Sequence, residues 1–527
     1  MMTNYVNGHI FTGENETAFV DAMQVVDGRV TWTGATPDAP QTDNVVDLKH
    51  QTVLPGLLDI HTHPKYIADA LHGVACTPPE INSISDMQAA LRKSPEYGQG
   101  ADVWLEGWGF DETKLAEHRT PTVDDLDAVT TDQPIFIYRS DCHSSIGNSK
   151  ALAMAGITAD TPDPEGGHIG HFADGRPNGY MQEVAASQLL IRAKSAQNYQ
   201  QDVTNMRNTS DHYLANGLVA IGELMGRKQP YDSLRLYQDA MAAGFKPQTA
   251  IYYVWDELKN DPDPILPTEN ENLTIAGVKV FMDGSISGET AWNQQPYPSG
   301  KNGIQLTTGT DLMAAVTFAR DHQLQVAVHA MGDAAIQLIL DTTDQVTPWL
   351  SDRPSIRIEH ATLLSDAMLH QIQAAKMQYA LVTQPIFYFA EDESYRAYLS
   401  PQQFKTAYRI KSMLETTATA LSSDAPCTPW AEPDSPFIAM QAAVNRTAVN
   451  GDVVNADEAI SIGQAVLAYT KWAAEIAGLS DSGQLTVGKR ADFVVLNQNP
   501  FTVVAEKIGE TRVKRTWIKG QCVYEDQ

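Results

Sequence analysis

Two histidines, His61 and His63, stand two positions apart at the end of a short apolar stretch, 53–64. In a β-strand alternate side chains share a face, so both imidazoles would point the same way from the C-terminal end of that strand. Two converging imidazoles are suited to hold a divalent metal ion. The spacing alone leaves two alternatives open, a metal site and a strand end that carries two unrelated histidines.

Further polar residues of the same kind occur in or at the ends of later apolar stretches. These residues are Lys279, His329, His360 and Asp424. One buried histidine at a strand end is commonly structural, but four histidines and an aspartate on one rim are poorly explained by packing. The set as a whole therefore predicts a metal centre.

The residue types indicate which chemistry this centre supports. Neutral imidazoles and a carboxylate suit Zn²⁺ or a similar divalent ion, with a position left open for water. Such an ion lowers the pKa of its water towards about 7 and makes hydroxide available at neutral pH. Asp424 is predicted to take the proton of this water and to pass it to the leaving group.

Lys279 differs from the other members of the set, because an ammonium group beside a dication is repelled and is costly to bury. Two interpretations stay open. Lys279 binds a structural carboxylate below the metal, or its amine is carbamylated by CO₂ and becomes an anionic ligand that bridges two metal ions. Charge alone does not decide between them.

The elements that would position these residues alternate between strands and helices, which is typical of βα units and a parallel sheet. The apolar stretches number eight, as in a closed (β/α)₈ TIM-like barrel of the α/β class. They are 53–64, 217–223, 246–255, 276–283, 324–330, 355–361, 378–385 and 418–424. In such a barrel the functional residues lie at the C-terminal ends of the strands.

The remaining segments predict two additions to the barrel. The segments 1–53 and 484–527 each contain short strands, but neither segment has enough of them for a stable sheet. We therefore expect the two segments together to form one small β-sandwich. The barrel then spans 54–483. The long interval 72–205 after the first strand is predicted to be an inserted subdomain over the barrel mouth, and its strand 134–139 is excluded from the barrel.

Bulk properties narrow the class of protein. The chain has 527 residues, a net charge of −28 and a sequence pI near 4.8, which argues against nucleic acid or anionic membranes as partners. Its four cysteines are scattered, so neither a zinc finger nor a disulfide framework is indicated. Neither a signal peptide nor a membrane span is recognisable. We expect a cytoplasmic protein with a small-molecule substrate and, by default, a homodimer.

Several sequence blocks resemble a known family. They are the Pro-Gly-Leu-Leu-Asp-Ile-His-Thr-His of 55–63, the two later histidines, the Ser-Ser-Asp before 425, and the segments 107–111, 141–149, 277–285, 329–333 and 488–496. Together they resemble the amidohydrolase superfamily. More narrowly, they resemble its YtcJ-like branch, amidohydrolase family 3, which includes an N-substituted formamide deformylase.

The resemblance implies a metal-dependent hydrolase whose metal, Zn²⁺ by expectation, is bound as one or two ions by the four histidines. It further implies that Asp424 is both ligand and base and that Lys279 is a carbamylated bridge. The leading hypothesis is hydrolysis of a C–N bond in a non-peptide amide, formamide or cyclic amide by metal-activated hydroxide. One alternative is deamination of a cyclic amidine or aminated heterocycle. Another is a non-catalytic metal-binding protein on a hydrolase scaffold.

Four further residues are candidates for substrate binding. His143 and Asn148 lie in a family motif within the insertion and could orient substrate, although His143 could instead cap the fold of the insertion. Trp108 is either a packing aromatic or part of the pocket lining. Glu289 stands where relatives are expected to carry a basic residue, so it either disfavours anionic substrates or is a solvated loop residue.

Overall fold

The computed structural model describes residues 2–78, 80–194, 199–261 and 272–526. Its centre is an eight-stranded parallel sheet whose strands are adjacent in chain order, so the predicted TIM-like barrel is confirmed. Barrel strands one to eight are Leu57–Thr62, Leu218–Gly226, Gln248–Val254, Leu273–Phe281, Gln325–Ala330, Ile356–His360, Tyr379–Thr383 and Ala418–Leu421. The chain just after strand eight closes on strand one, since the Asp424 N–H donates to the His61 carbonyl at 2.8 Å.

The barrel strands are buried along almost their whole length, because side chains fill the interior and helices cover the outside. This explains why the barrel strands appear in the sequence as apolar runs without alternating polar residues. The helices that follow or flank them are Pro64–Ala70, Tyr199–Ala215, Ser233–Ala242, Trp255–Leu258, Gly309–Asp321, Asp333–Thr343, Asp366–Ala374, Pro385–Tyr398, Pro401–Lys405, Ile410–Thr416, Pro436–Asn445, Ile462–Ala468 and Lys471–Ala477. None of the helices in the described ranges is long and apolar enough to cross a membrane.

Between barrel strands one and two the chain forms a separate six-stranded sheet, here called the insertion sheet. Its strands are Val74–Ala75, Leu105–Phe110, Ile135–Arg139, Ser145–Gly147, His168–His171 and Pro177–Gln182. The helices of this region are Ile84–Lys93, Val123–Asp127, Ser149–Met154 and Glu183–Lys194. The strand excluded from the barrel, Ile135–Arg139, pairs with Leu105–Phe110 in this sheet.

Arg139 connects the insertion sheet to the mouth of the barrel. Its guanidinium donates to the Ser287 carbonyl at 3.2 Å, in the loop after barrel strand four. The same group pairs with Glu112 at 2.9 Å and with Asp141 at 3.0 Å, and its side chain is 1% exposed. Removing one partner of such a buried ion pair typically costs about 3–5 kcal/mol, so these contacts hold the insertion in a defined position.

The two termini contribute to two further sheets. The first contains Met2–Val6, Ala22–Val26, Arg29–Gly34 and Val45–Asp47, and the second contains His9–Phe11, Phe19–Val20, Thr52–Pro55, Phe493–Leu496, Val513–Ile518 and Gln521–Glu525. In the second sheet the C-terminal strand Phe493–Leu496 pairs with Thr52–Pro55. One buried cluster joins Tyr5, Val25 and Val53 to Phe493 and Trp517, so the two ends of the chain share a core.

Candidate active site

The six predicted ligands converge at the C-terminal end of the barrel. His61 lies in strand one and His63 directly follows it, while the other four belong to or follow strands four, five, six and eight. All six side chains are buried. Parallel strands bring their C-terminal ends to one rim, which is why residues up to 363 positions apart meet here.

Asp424 is the centre of the group. Its Oδ1 lies 2.7 Å from His63 Nε2 and 3.1 Å from His61 Nε2, and its Oδ2 lies 4.0 Å from His360 Nε2. The donor atoms of His61, His360 and Asp424 all lie within 4.8 Å of one another. Donors this close can converge on one ion by small side-chain rotations, so the residues present fit a divalent metal.

The backbone at two of these ligands has positive φ. His360 has φ +66° and Asp424 has φ +57°, a conformation that non-glycine residues rarely adopt. Each such residue costs of order 1–3 kcal/mol, and such residues cluster at functional sites. Both of these strained residues contribute a donor atom to the group formed with His61.

The charge states also suit a metal. Burial and the neighbouring His360 and Lys279 hold the pKa of His329 well below its usual value, so this imidazole is neutral. Burial likewise lowers the pKa of His360. For Asp424 burial acts in the opposite direction, but His61 and His63 outweigh it and hold its pKa well below the usual range. Neutral imidazoles around an ionised carboxylate are the forms that bind divalent ions.

A second layer of acids lies beside the histidines; of these, Glu223 is only one of several possible acids in the sequence, and Glu359 was missed. Glu359 Oε2 lies 2.6 Å from His61 Nδ1, and Glu223 Oε1 lies 3.8 Å from His63 Nδ1. Glu359 is ion-paired with the equally buried Arg357. Burial opposes ionisation of Glu359, but Arg357 and His61 lower its pKa to about 2. The sequence does contain a sign of Glu359: Arg357 and Glu359 are charged residues two positions apart in a buried strand. This spacing places both side chains on one face of the strand.

We expect Glu359→Gln to weaken metal binding about 10–100-fold, because a carboxylate that orients a ligand histidine typically contributes that much. Competition with a chelator measures the affinity. Asp492→Asn is the matched control, since Asp492 pairs with the buried Arg490 at 2.7 Å, directly before the strand Phe493–Leu496 and outside the ligand group. An equal loss of affinity in both variants would show that general destabilisation, and not the contact with His61, is responsible.

Lys279 lies within the group, with its Nζ 3.4 Å from His61 Nε2. Burial lowers its pKa to about 8. In the part of the chain that the structure describes, no carboxylate oxygen lies within 4 Å of Nζ, so a structural carboxylate partner is not observed.

Of the four candidates for substrate binding, the structure brings His143 to the ligand group. Its ring centre lies 5.6 Å from that of His329, and its Nδ1 lies 3.0 Å from Glu183 Oε2. Burial alone would lower the pKa of His143, but Glu183 raises it to about 9. In the sequence Glu183 is a possible extra acid near the barrel mouth, but nothing in its neighbourhood distinguishes it from other acids.

The other three candidates lie elsewhere. The Asn148 side chain caps the helix Ser149–Met154, accepts from Ile135 N–H at 2.9 Å and donates to two carbonyls, so it is fully used inside the insertion. Trp108 is buried among aromatic residues of the insertion, and its indole donates to the Ala70 carbonyl at 3.1 Å. Glu289 is half-buried in the loop after strand four. Neither cavity described next is lined by any of these three.

Several cavities reach the ligand group, and two of these adjoin His63. A narrow one of about 20 Å³ is lined by the ligands themselves together with Cys142, His143 and Cys427. A larger one of about 660 Å³ begins at His63 and Glu223 and is lined by Tyr66, Tyr138 and Tyr231, among others. The larger cavity offers room for the body of a substrate next to the ligand group.

Comparisons with known proteins agree with this geometry. The model of the amidohydrolase family matches residues 44–524. The chain is 28% identical to N-substituted formamide deformylase of Arthrobacter pascens, over 99% of this chain and 98% of that protein. It is also 28% identical to the putative amidohydrolase YtcJ of Bacillus subtilis, over 98% of each chain. The resemblance drawn from the sequence blocks is thereby confirmed.

A solved structure shows the same fold. The uncharacterized metal-dependent hydrolase from Pyrococcus horikoshii superposes with a TM-score of 0.78 and 26% identity, covering 96% of this chain and 99% of that one. The family match spans nearly the whole chain and includes all six residues of the ligand group. The protein is a member of the amidohydrolase family and hence a hydrolase of carbon–nitrogen bonds other than peptide bonds.

Proposed function

We propose that this protein hydrolyses the C–N bond of a non-peptide amide, namely a formamide, another N-acyl amine or a cyclic amide. The observation that carries the proposal is the ionised Asp424 carboxylate, buried between His61 and His63 at the C-terminal rim of the barrel. The printed name of the Arthrobacter pascens relative supports a formamide as one member of this class.

The residues of the ligand group have different roles in this reaction. His61, His63, His329 and His360 would hold the ion, and nitrogen and oxygen donors of this kind suit Zn²⁺. When bound, a divalent ion polarises the scissile carbonyl and makes a water molecule acidic. Asp424 accepts the proton of the attacking water and delivers it to the departing nitrogen. Its low pKa keeps it ready as an acceptor.

Lys279 is proposed to be carbamylated and to join two ions. Three facts support this: its Nζ lies 3.4 Å from His61 Nε2, its side chain is buried, and no carboxylate in the described ranges pairs with it. Burying a lone ammonium beside a metal ion is costly, whereas a carbamate would be attracted to it. A side-chain mass increase at Lys279 would be the direct sign of this modification.

His143 is proposed to contact the substrate, because it extends from the insertion to within ring-contact distance of His329 and lines the narrow cavity. As a protonated imidazole held by Glu183 it could donate a hydrogen bond to a carbonyl oxygen.

The two terminal sheets are proposed to be one composite β-sandwich, 1–53 with 484–527, beside a barrel of 54–483 that carries the insertion 72–205. A small-molecule substrate, a homodimer and a cytoplasmic location also stay predictions.

A substrate screen tests the proposed function. Protein loaded with Zn²⁺ or Mn²⁺ is incubated with N-formyl amines, N-acyl amines, cyclic amides and cyclic amidines, and the release of acid, amine and ammonia is measured. We expect a carboxylic acid and an amine, or the ring-opened acid, from the amide classes. Ammonia from the amidines without hydrolysis of any amide would favour the alternative, a deaminase. A metal-loaded protein that turns over none of these classes would favour a non-catalytic binding protein.

A further inference from the structure

A third cavity, here called the small pocket, adjoins His329, His360 and Asp424. Its volume is about 20 Å³, and a cavity needs roughly 10–15 Å³ to hold one water molecule. The small pocket therefore admits one group of about the size of water. Its polar lining comes from three parts of the chain, namely Asp141 and His143 of the insertion, Ser285 and Ser287 of the loop after barrel strand four, and Glu391 of the helix Pro385–Tyr398.

Three carboxylates line the small pocket, and Glu391 is the one that lacks a cationic partner. Asp424 belongs to the ligand group, and Asp141 pairs with Arg139 at 3.0 Å. Glu391 is 4% exposed, and its Oε1 accepts from Thr428 Oγ1 at 3.4 Å. Among the described residues, no lysine, arginine or histidine nitrogen lies within 4 Å of its carboxylate, and its Oε2 accepts no hydrogen bond.

The charges around Glu391 leave it unbalanced. Burial raises the pKa of Glu391 to about 8, Asp111 acts in the same direction, and Arg139 acts against it. A buried acid without a partner is costly to ionise, and an opposite charge close by removes that cost. The imidazolium of His143 is already compensated by Glu183, whose Oε2 lies 3.0 Å from His143 Nδ1. The small pocket thus lacks one positive charge that would balance Glu391.

We infer that the small pocket binds a primary ammonium group on the acyl part of the substrate, with Glu391 as its partner. The inference rests on the proposed function in taking the substrate to be an amide, and it names the acyl part. The pocket is also lined by His329, His360 and Asp424, so a group bound in it stands within a few bonds of the scissile carbonyl. The substrate class is therefore an α-aminoacyl amide of a larger amine, whose body enters the cavity of about 660 Å³.

The lining of the small pocket suits an ammonium in its hydrogen-bonding groups as well as in its charge. An ammonium has three hydrogen-bond donors and no acceptor. The carboxylate of Glu391 and the hydroxyl oxygens of Ser285 and Ser287 are acceptors for such donors. Glu391 thereby determines specificity and takes no part in breaking the C–N bond.

The test compares four amides of one amine, 2-phenylethylamine, on the full-length protein loaded with Zn²⁺. The glycyl amide carries the ammonium, and the propionyl amide replaces it with a methyl group of similar size. The glycolyl amide replaces it with a neutral hydroxyl, and the N,N,N-trimethylglycyl amide keeps the charge but is too large for the small pocket. The measurements are kcat/KM for each amide that is hydrolysed and Kd by calorimetry for each that is not.

We expect the glycyl amide to be preferred over the other three by about 10–100-fold, the usual effect of a charge-assisted hydrogen bond. Glu391→Gln keeps the shape of the side chain but removes its charge, so the ratio of glycyl to propionyl amide should fall to near one. Glu393→Gln is the matched control, because Glu393 lies on the same helix but is exposed and pairs with Lys114 at 2.7 Å. This control should keep the preference.

The inference would be overturned by equal use of the glycyl and propionyl amides, or by a preference that survives in Glu391→Gln. A glycolyl amide that binds as well as the glycyl amide would show that Glu391 acts as a neutral hydrogen-bonding group. Equal binding of the trimethylglycyl amide would place the charge outside the small pocket. If Glu391→Gln does not fold, these last two comparisons on the unaltered protein decide.

The inference and the proposed function fail in different ways. Hydrolysis of the propionyl amide without a preference for the glycyl amide would refute the ammonium pocket and leave the proposed function standing. Binding of the glycyl amide that depends on Glu391, without hydrolysis of any amide, would support the pocket and contradict the proposed function. A protein that neither binds nor hydrolyses any of the four amides would contradict both.

Discussion

Asp424→Asn is expected to lower kcat/KM for an amide substrate by about 10³-fold, because a positioned general acid–base group contributes roughly 10²–10⁴-fold. Asparagine has nearly the same shape but cannot accept the proton of water or return it to nitrogen. Since its side-chain oxygen can still face His61 and His63, we expect most of the bound metal to be retained. Steady-state kinetics and elemental analysis of the purified variant measure the two effects separately.

The control for this variant is Asp434→Asn. Asp434 is also buried, and its Oδ2 lies 2.6 Å from His212 Nε2, so the change removes a comparable histidine–carboxylate contact outside the ligand group. It should lower stability but leave kcat/KM within a few-fold of the unaltered protein. Retention of most activity in Asp424→Asn, with correct folding, would contradict the role assigned to Asp424.

The double variant His61→Ala/His63→Ala should lose its metal and with it the activity. Both imidazoles lie at the Asp424 carboxylate, 3.1 Å (His61) and 2.7 Å (His63) from its Oδ1, so the double change removes two of the residues that would hold the ion. Without an ion the pKa of the attacking water returns from about 7 to about 15.7, and we expect the rate to fall by at least three orders of magnitude. Metal content by elemental analysis and turnover of the same substrate are the measurements.

The matched control is His322→Ala/His370→Ala, which removes two histidines outside the ligand group. His322 ends the helix Gly309–Asp321 and His370 is an exposed residue of the helix Asp366–Ala374. Thermal unfolding should show both double variants folded. Unchanged metal content or undiminished turnover in His61→Ala/His63→Ala would refute the metal site.

The barrel and its ligand group could be predicted from the sequence for a physical reason. Strands of a parallel sheet are buried on both faces, so they appear as short apolar runs, and their C-terminal ends all meet at one rim. A polar residue that ends such a run, as His61 or Asp424 does, can thus be placed in space without knowledge of any loop. Some local turns are also encoded by residue type: Asp27-Gly28 is a dipeptide typical of a two-residue hairpin, and both residues have the positive φ that such a turn requires.

What surrounds the ligand group was decided by the tertiary structure alone. Asn148 belongs to the same family motif as His143, yet its side chain caps a helix inside the insertion, whereas His143 extends to His329. Cys142 and Cys427 are 285 positions apart in the chain and line the same narrow cavity only because the insertion folds over the end of the barrel. Such contacts depend on how loops that are distant in the sequence pack against one another. Local residue patterns do not predict that packing. The sequence by itself thus determined which strands bear the chemistry, and the fold of the insertion decided which residues stand beside them.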